Sequence, residues 1–222
     1  CKGEESSKRK VFDFFSSAKL RIVMMGIISS KTTAIFWKLG SMTISLRLRF
    51  IPMALSWPAV NSEAKKIQDI KKYHNGILLE LFENESHEVF KVVTGLFREL
   101  SEFFDRNKSP DYSFVYDQTI GFGELISTTI VSYYLNHKGV KNKWLDVREL
   151  IKTNSYYRNA KVEWALTQSK ISEAIDEKAL HITQGFLGSD GNNFTTTLGR
   201  EGSDYTAAIF AFCLNAKSVT IW

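Results

Sequence analysis

The stretch TTTLGREGSDYTAA, Thr195 to Ala208, places Arg200, Glu201, Ser203 and Asp204 within five positions and sets glycines beside them. A guanidinium fork binds carboxylates and phosphates through paired hydrogen bonds. Ser203 and Asp204 fall where an apolar helical run begins, and the free N–H groups of a helix start favour anions. Capping alone explains a Ser and an Asp at such a point. It does not explain Arg200 in a glycine-flanked turn behind a threonine run. Together these residues point to a pocket for a small anionic substrate.

Two other stretches carry comparable chemistry. FGELIS (Phe122–Ser127) sets Glu124 at an expected helix start, either as an acid favoured by the helix dipole or as an acceptor for a ligand ammonium group. TQGFLGS (Thr183–Ser189) ends an expected strand in glycines, Gly188 among them, where backbone could approach a phosphate. His74 and His181 stand far apart and read as structural. Asp146 and Arg148, two apart in an apparent strand, read as a local ion pair.

The elements that must position these residues follow from periodicity. A helix from Asn61, opened by an Asn/Ser cap, stripes Ile67, Ile70, His74, Ile77, Leu78 and Leu81 along one face. A second helix aligns Val89, Val93, Phe97, Leu100 and Phe104, and the two read as an antiparallel pair with an aromatic core stripe. After the NKSPDY turn the pattern alternates. GELISTTIVSYYLNHKG reads as a helix, KWLDVREL as a strand, and VEWALTQSKISEAI as a short helix. ALHITQGFLGS reads as a strand, GNNFTTTLGR as a turn or hairpin, SDYTAAIFAFCLNA as a helix and SVTIW as a final buried strand. Such alternation predicts an α/β domain with a mainly parallel sheet, whose ligands bind where loops leave the carboxyl ends of strands. GFLGS and GREGSD both fall there.

The 222 residues suit one sizeable core with an appendage. Charge is uneven. Residues 1–60 hold ten Lys/Arg against three Asp/Glu, and the remainder nineteen against twenty-one. The basic excess therefore belongs to one end. It is spread rather than clustered, which argues against a nucleic-acid or membrane partner. LRLRF (Leu46–Phe50) alternates as an edge strand would. Cys1 and Cys213 form no spacing pattern, against a disulfide framework or zinc site and in favour of a reducing cytoplasm, with Cys213 a buried thiol. The longest apolar runs fall short of the roughly 18–20 residues of a spanning helix.

GELISTTIVSYYL, KWLDVRELIKT, ITQGFLGS, TTTLGREGSDYTAA and SVTIW, in this order, closely resemble the catalytic domain of aspartate kinases, in the amino acid kinase family. The resemblance covers roughly residues 112–222, with weaker support back to 61. It implies a three-layer α/β/α sandwich around a mainly parallel sheet, truncated here. It implies transfer of the ATP γ-phosphoryl group to the side-chain carboxylate of L-aspartate, the first step toward Lys, Thr and Met, with ATP and Mg2+ as cofactors in a cytoplasmic enzyme. Homo-oligomers are compatible with it. Carried onto this chain, Glu124 helps bind the amino acid, Arg200 contacts a substrate carboxylate, and Asp204 lies at the reacting centre. Gly202 and Ser203 share that substrate-binding turn, and Ser203 and Gly188 fall toward the nucleotide.

The departures from the family pattern are specific. Its GRGGSD motif reads GREGSD here, with Glu201 for a glycine. Its KFGGTS-like opening strand has no counterpart, KLGSMT (Lys38–Thr43) being the nearest string. The chain stops at SVTIW, where the family continues toward the nucleotide and the regulatory ACT domains. The expected organisation is therefore an atypical basic segment over 1–60 and a partial catalytic domain over 61–222. The alternative function is a module that binds an acidic amino acid without turning it over.

Overall fold

The computed structural model describes residues 21–25, 33–39, 42–48 and 60–220, with side chains from residue 66 onward. Strand β1 (Arg21–Met25) is followed by a hairpin of β2 (Thr33–Leu39) and β3 (Met42–Leu48). Leu46–Leu48 of the expected alternating strand LRLRF form the end of β3, and Arg49 and Phe50 lie outside the described residues. Lys38 pairs with Thr43 between the two antiparallel strands, and Gly40 and Ser41 of KLGSMT lie outside the described residues.

Three long helices follow. Helix α1 (Val60–Phe82) starts one residue ahead of the expected Asn61 cap, so Asn61 stands inside its first turn. Helix α2 (Glu88–Arg106) is capped by His87, whose Nδ1 accepts the Val89 N–H at 3.3 Å. The expected stripe of Val89, Val93, Phe97 and Leu100 is buried. It packs with Ile67, Leu78 and Phe82 of α1 and with one face of α3 (Tyr112–His137), through Ile126, Ile130 and Tyr134. A core of this composition supplies the main stabilisation, at about 25 cal/mol per Å² of apolar surface removed from water.

Helix α3 begins eleven residues before the expected start at Gly123. Asp111 caps it, accepting the Ser113 and Phe114 N–H groups at 2.8 and 3.3 Å. Gly123, the expected start, and Gly121 before it both lie within the helix. Gly121 serves close packing: a Cβ there would stand 3.2 Å from Thr195 Cγ2.

The parallel sheet runs β1–β5–β4, with β4 at Asn142–Leu145 and β5 at Leu180–Gln184. The mixed α/β architecture with a parallel sheet is the expected one. Beyond β4 the chain departs from the expected strand: Asp146 accepts the Arg148 N–H at 3.0 Å and caps a one-turn helix, α4 (Val147–Leu150). The expected Asp146–Arg148 ion pair is present at 2.6 Å. Helix α5 (Trp164–Ala174) precedes β5. The expected single strand ALHITQGFLGS is broken into β5 and β6 (Leu187–Ser189); β6 pairs antiparallel with β7 (Thr195–Thr197) of the expected turn or hairpin GNNFTTTLGR, and helix α6 spans Gly202–Cys213. A second core gathers Val147, Ile151, Ile171, Leu187, Leu198, Ile209 and Phe210. Cys213 is buried there as expected, and burial pushes its thiol pKa up.

One expected element is not formed. Ser218–Thr220 adopt no strand and lie exposed, with Val219 at 48% of its surface. No described strand stands beside them to accept their backbone groups, and residues 221 and 222 lie outside the described residues. Among the described residues, no helix is long and apolar enough to cross a membrane.

Candidate functional site

A polar stripe along α3 organises the site. Asp117, Gly121, Glu124, Thr128 and Ser132 recur at steps of three or four, so they share one helix face. That face meets the ends of the strands one after another. The Asp117 carboxylate accepts the Thr197 N–H at 2.8 Å, the Thr197 hydroxyl at 2.9 Å and the Arg158 N–H at 2.9 Å. Gln118 grips Thr195 through both backbone groups, at 3.0 and 2.8 Å. At the far end Ser132 donates to Asn142 Oδ1 at 2.6 Å. Burial raises the Asp117 pKa, and the donors from Arg158 and Thr197 oppose that shift.

Glu124 occupies the middle of this stripe, buried at 3% exposure. It therefore does not sit at a helix start, and the favourable-dipole explanation does not apply to it. The helix opens further upstream, where Asp111 supplies the cap. The turn is pinned from behind. Thr128 donates its hydroxyl to the Glu124 carbonyl at 2.8 Å and accepts from Gln184 Nε2 at 2.8 Å and Trp144 Nε1 at 3.0 Å.

The second half of the site is the mouth of α6. Glu201 precedes it at φ 58°, ψ 24°, the left-handed region, and makes no side-chain cap. Ser203 and Asp204 lie inside the first helical turn, half-buried, so neither caps the helix as the simple reading of the sequence would have it. What anchors this turn is Thr206, which no sequence signal singled out. Its hydroxyl donates to the Gly202 carbonyl at 2.8 Å and accepts the Phe186 N–H at 2.9 Å. The backbone leaving β5 is thereby laid directly on the start of α6. A Cβ on Gly185 would fall 2.8 Å from Ser203 Oγ and 3.0 Å from its Cα, and one on Gly202 2.6 Å from Phe186 Cδ2. Both positions require glycine for this close approach.

The expected residues are thus distributed as follows. Glu124 and Ser203 converge on the carboxyl end of β5, linked through Thr128, Gln184 and Gly185. Gly202 and Asp204 belong to the same turn as Ser203. Arg200 stands at the rim with 94% of its side chain exposed, 3.8 Å from Glu201. Such an exposed pair contributes little to stability and leaves the guanidinium accessible. Gly188 lies inside β6, where a Cβ would stand 2.9 Å from the Ile151 carbonyl. That packing by itself accounts for a glycine there.

The residues expected to be structural stand apart from this site. His181 points to the opposite face of β5 from Gln184, by strand alternation. Burial and the neighbouring Lys143 lower its pKa. His74 is buried among α1 and α2 and its Nδ1–H donates to the Ile70 carbonyl at 2.8 Å, with its pKa lowered by burial. The described residues contain no group of three or more His, Cys, Asp or Glu able to hold a metal by themselves. The half-buried Asp204 fits the other arrangement open to Mg2+, in which one or two carboxylates share the ion with substrate phosphates.

Residues 54–222 match the model of the amino acid kinase family. Lysine-sensitive aspartokinase 3 of Escherichia coli (strain K12) is 41% identical over 110 residues, covering 48% of this chain and 24% of that protein. An aspartokinase of Chlamydia trachomatis is 28% identical over 156 residues, 70% of this chain and 34% of that protein. The chain thus spans between a quarter and about a third of these curated relatives. The crystal structure of E. coli aspartokinase III in complex with aspartate and ADP superposes with a TM-score of 0.67 at 29% identity, covering 74% of this chain and 37% of that one.

Proposed function

Since the chain belongs to the amino acid kinase family, we propose that it carries the aspartate-binding part of an aspartate kinase, which moves the ATP γ-phosphoryl group onto the side-chain carboxylate of L-aspartate. The observation that carries this reading is the junction at the carboxyl end of β5. There the buried Glu124 turn and the Gly202–Asp204 turn are tied to one strand end, where α/β sheets bind ligands.

The roles follow from charge. Glu124 receives the substrate ammonium group. Arg200, accessible at the rim, takes a substrate carboxylate in place of its contact with Glu201. Ser203 offers the N–H of a helix start to an anion, beside Gly202, whose own N–H is taken by the Gly199 carbonyl at 3.2 Å. Asp204 faces the reacting oxygens, and Ser203, with Gly188 further along the same backbone, borders the phosphates. Carboxylate and triphosphate repel each other, so the protein's part is to align them and fix their approach. Mg2+ bound with ATP would neutralise that phosphate charge, with Asp204 the carboxylate placed to meet it.

A second reading, an acidic-amino-acid binder without turnover, is supported by Arg200 lying in solvent against Glu201. Trapping the product with hydroxylamine separates the two. ATP-dependent aspartyl hydroxamate is expected from the kinase. Aspartate binding with no hydroxamate at ample protein supports the binder.

A further inference from the structure

We propose that Gln184 is a positioning residue, holding the Glu124 turn of α3 and the mouth of α6 in one fixed arrangement; this rests on the aspartate site described above. Gln184 is completely buried at the last position of β5. Its Nε2 donates to Thr128 Oγ1 at 2.8 Å and its Oε1 accepts the Val147 N–H at 2.8 Å. Thr128 is saturated by this contact. A hydroxyl has one donor and two acceptor sites, and Thr128 directs the donor mainly at the Glu124 carbonyl (2.8 Å, with the Leu125 carbonyl at 3.3 Å) and the acceptors at Gln184 and Trp144.

The direction of that hydroxyl is therefore dictated by Gln184 and transmitted to the backbone of Glu124. The following residue, Gly185, is in van der Waals contact with the Ser203 position. One residue thus couples the group that would hold the substrate ammonium to the turn that would hold its carboxylate. An apolar side chain would fill the same space while leaving the Val147 N–H and an oxygen lone pair of Thr128 buried and unmatched. A small shift at such a supporting contact is felt as lost ligand affinity.

The test measures L-aspartate affinity of the full chain by calorimetry, at a temperature where circular dichroism shows each variant folded. Gln184→Met and Thr128→Val are each expected to weaken binding about tenfold, the scale seen when a supporting shell is lost. Thr128→Ser, which keeps the hydroxyl, is expected to restore it. The Gln184→Met loss should vanish in a Glu124→Gln background, because the effect passes through Glu124. Full affinity in Gln184→Met, or a loss that adds undiminished to that of Glu124→Gln, overturns the proposal. If Gln184→Met does not fold, Thr128→Val decides on the same criteria. Absence of aspartate binding by the wild-type chain overturns the site itself and this inference with it. Wild-type binding that Glu124→Gln weakens and Gln184→Met leaves intact overturns the positioning role alone.

Discussion

Replacing Glu201 with glycine isolates a conflict between the sequence and its own backbone. Glu201 stands at φ 58°, ψ 24° just before α6. There the Cβ of an ordinary residue crowds the following carbonyl, at a cost of roughly 1–2 kcal/mol. Glycine removes that cost but loses about 0.5–1 kcal/mol more chain entropy on folding. The side chain offers little in return, since its contact with Arg200 is 3.8 Å long with both partners largely exposed. Glu201→Gly should therefore stabilise the chain by about 0.5–1 kcal/mol, a rise of roughly 1–4 °C in Tm for a domain of this size. Urea titration at constant m-value is the assay. Glu201→Ala, which keeps the strained φ and loses the carboxylate, should give no such gain. Glu201→Gln adds a second arm: it keeps the strain but frees Arg200, so it should tighten aspartate binding and leave stability unchanged. Equal stabilisation by Ala and Gly would refute the backbone argument, and so would a loss of stability in Glu201→Gly.

Three further outcomes are expected. Asp117→Ala removes the acceptor of three hydrogen bonds and leaves the Arg158 and Thr197 N–H groups unmatched, and should cost about 2–3 kcal/mol in denaturant unfolding; a change within experimental error would show that β7 is held by other contacts. Gly185→Ala forces a methyl onto Ser203 Cα at 3.0 Å, so stability should fall by about 1–3 kcal/mol and aspartate affinity with it, whereas an unaffected variant would mean that β5 and α6 are not in contact. His74 and His181 have pKa values lowered from 6.5 by burial. Between the folded and unfolded values the unfolded chain binds more protons, so stability is intact above pH 6.5 and declines as pH falls, by up to about 1.4 kcal/mol per pH unit for each histidine. Asp117, with its pKa raised, acts in the opposite sense at lower pH. A His74→Gln, His181→Gln variant should flatten the limb just below pH 6.5, and an unchanged slope would assign the acid sensitivity elsewhere.

What could be seen in the sequence was whatever short-range chemistry decides. The α1–α2 stripe, the β6–β7 hairpin, the apolar run of α6 and the Asp146–Arg148 pair all depend on neighbours a few positions away. Glu124 stood out as a candidate residue, but its mid-helix position did not. Gly121 and Gly123 resemble a helix boundary until Thr195, 74 residues onward, is seen packed against Gly121. Gln184, Thr128 and Thr206 gave no local signal, because each acts only through partners distant in the chain. SVTIW has the composition of a buried strand, yet strand formation needs a neighbour for its backbone groups, and Ser218–Thr220 pair with none of the described strands. Glu201 could be marked as a departure from a glycine pattern, but only the left-handed dihedral gives that departure a physical consequence.

The central claim is that α3 and the mouth of α6 bind one ligand between them, and titration with L-aspartate of the wild-type chain, Glu124→Gln and Arg200→Ala tests it most directly. Saturable wild-type binding is predicted, weakened about tenfold or more in each variant. The melting temperature of Arg200→Ala should stay unchanged, because that side chain lies in solvent. Binding that is indifferent to both substitutions, or absent in the wild type, would contradict the account.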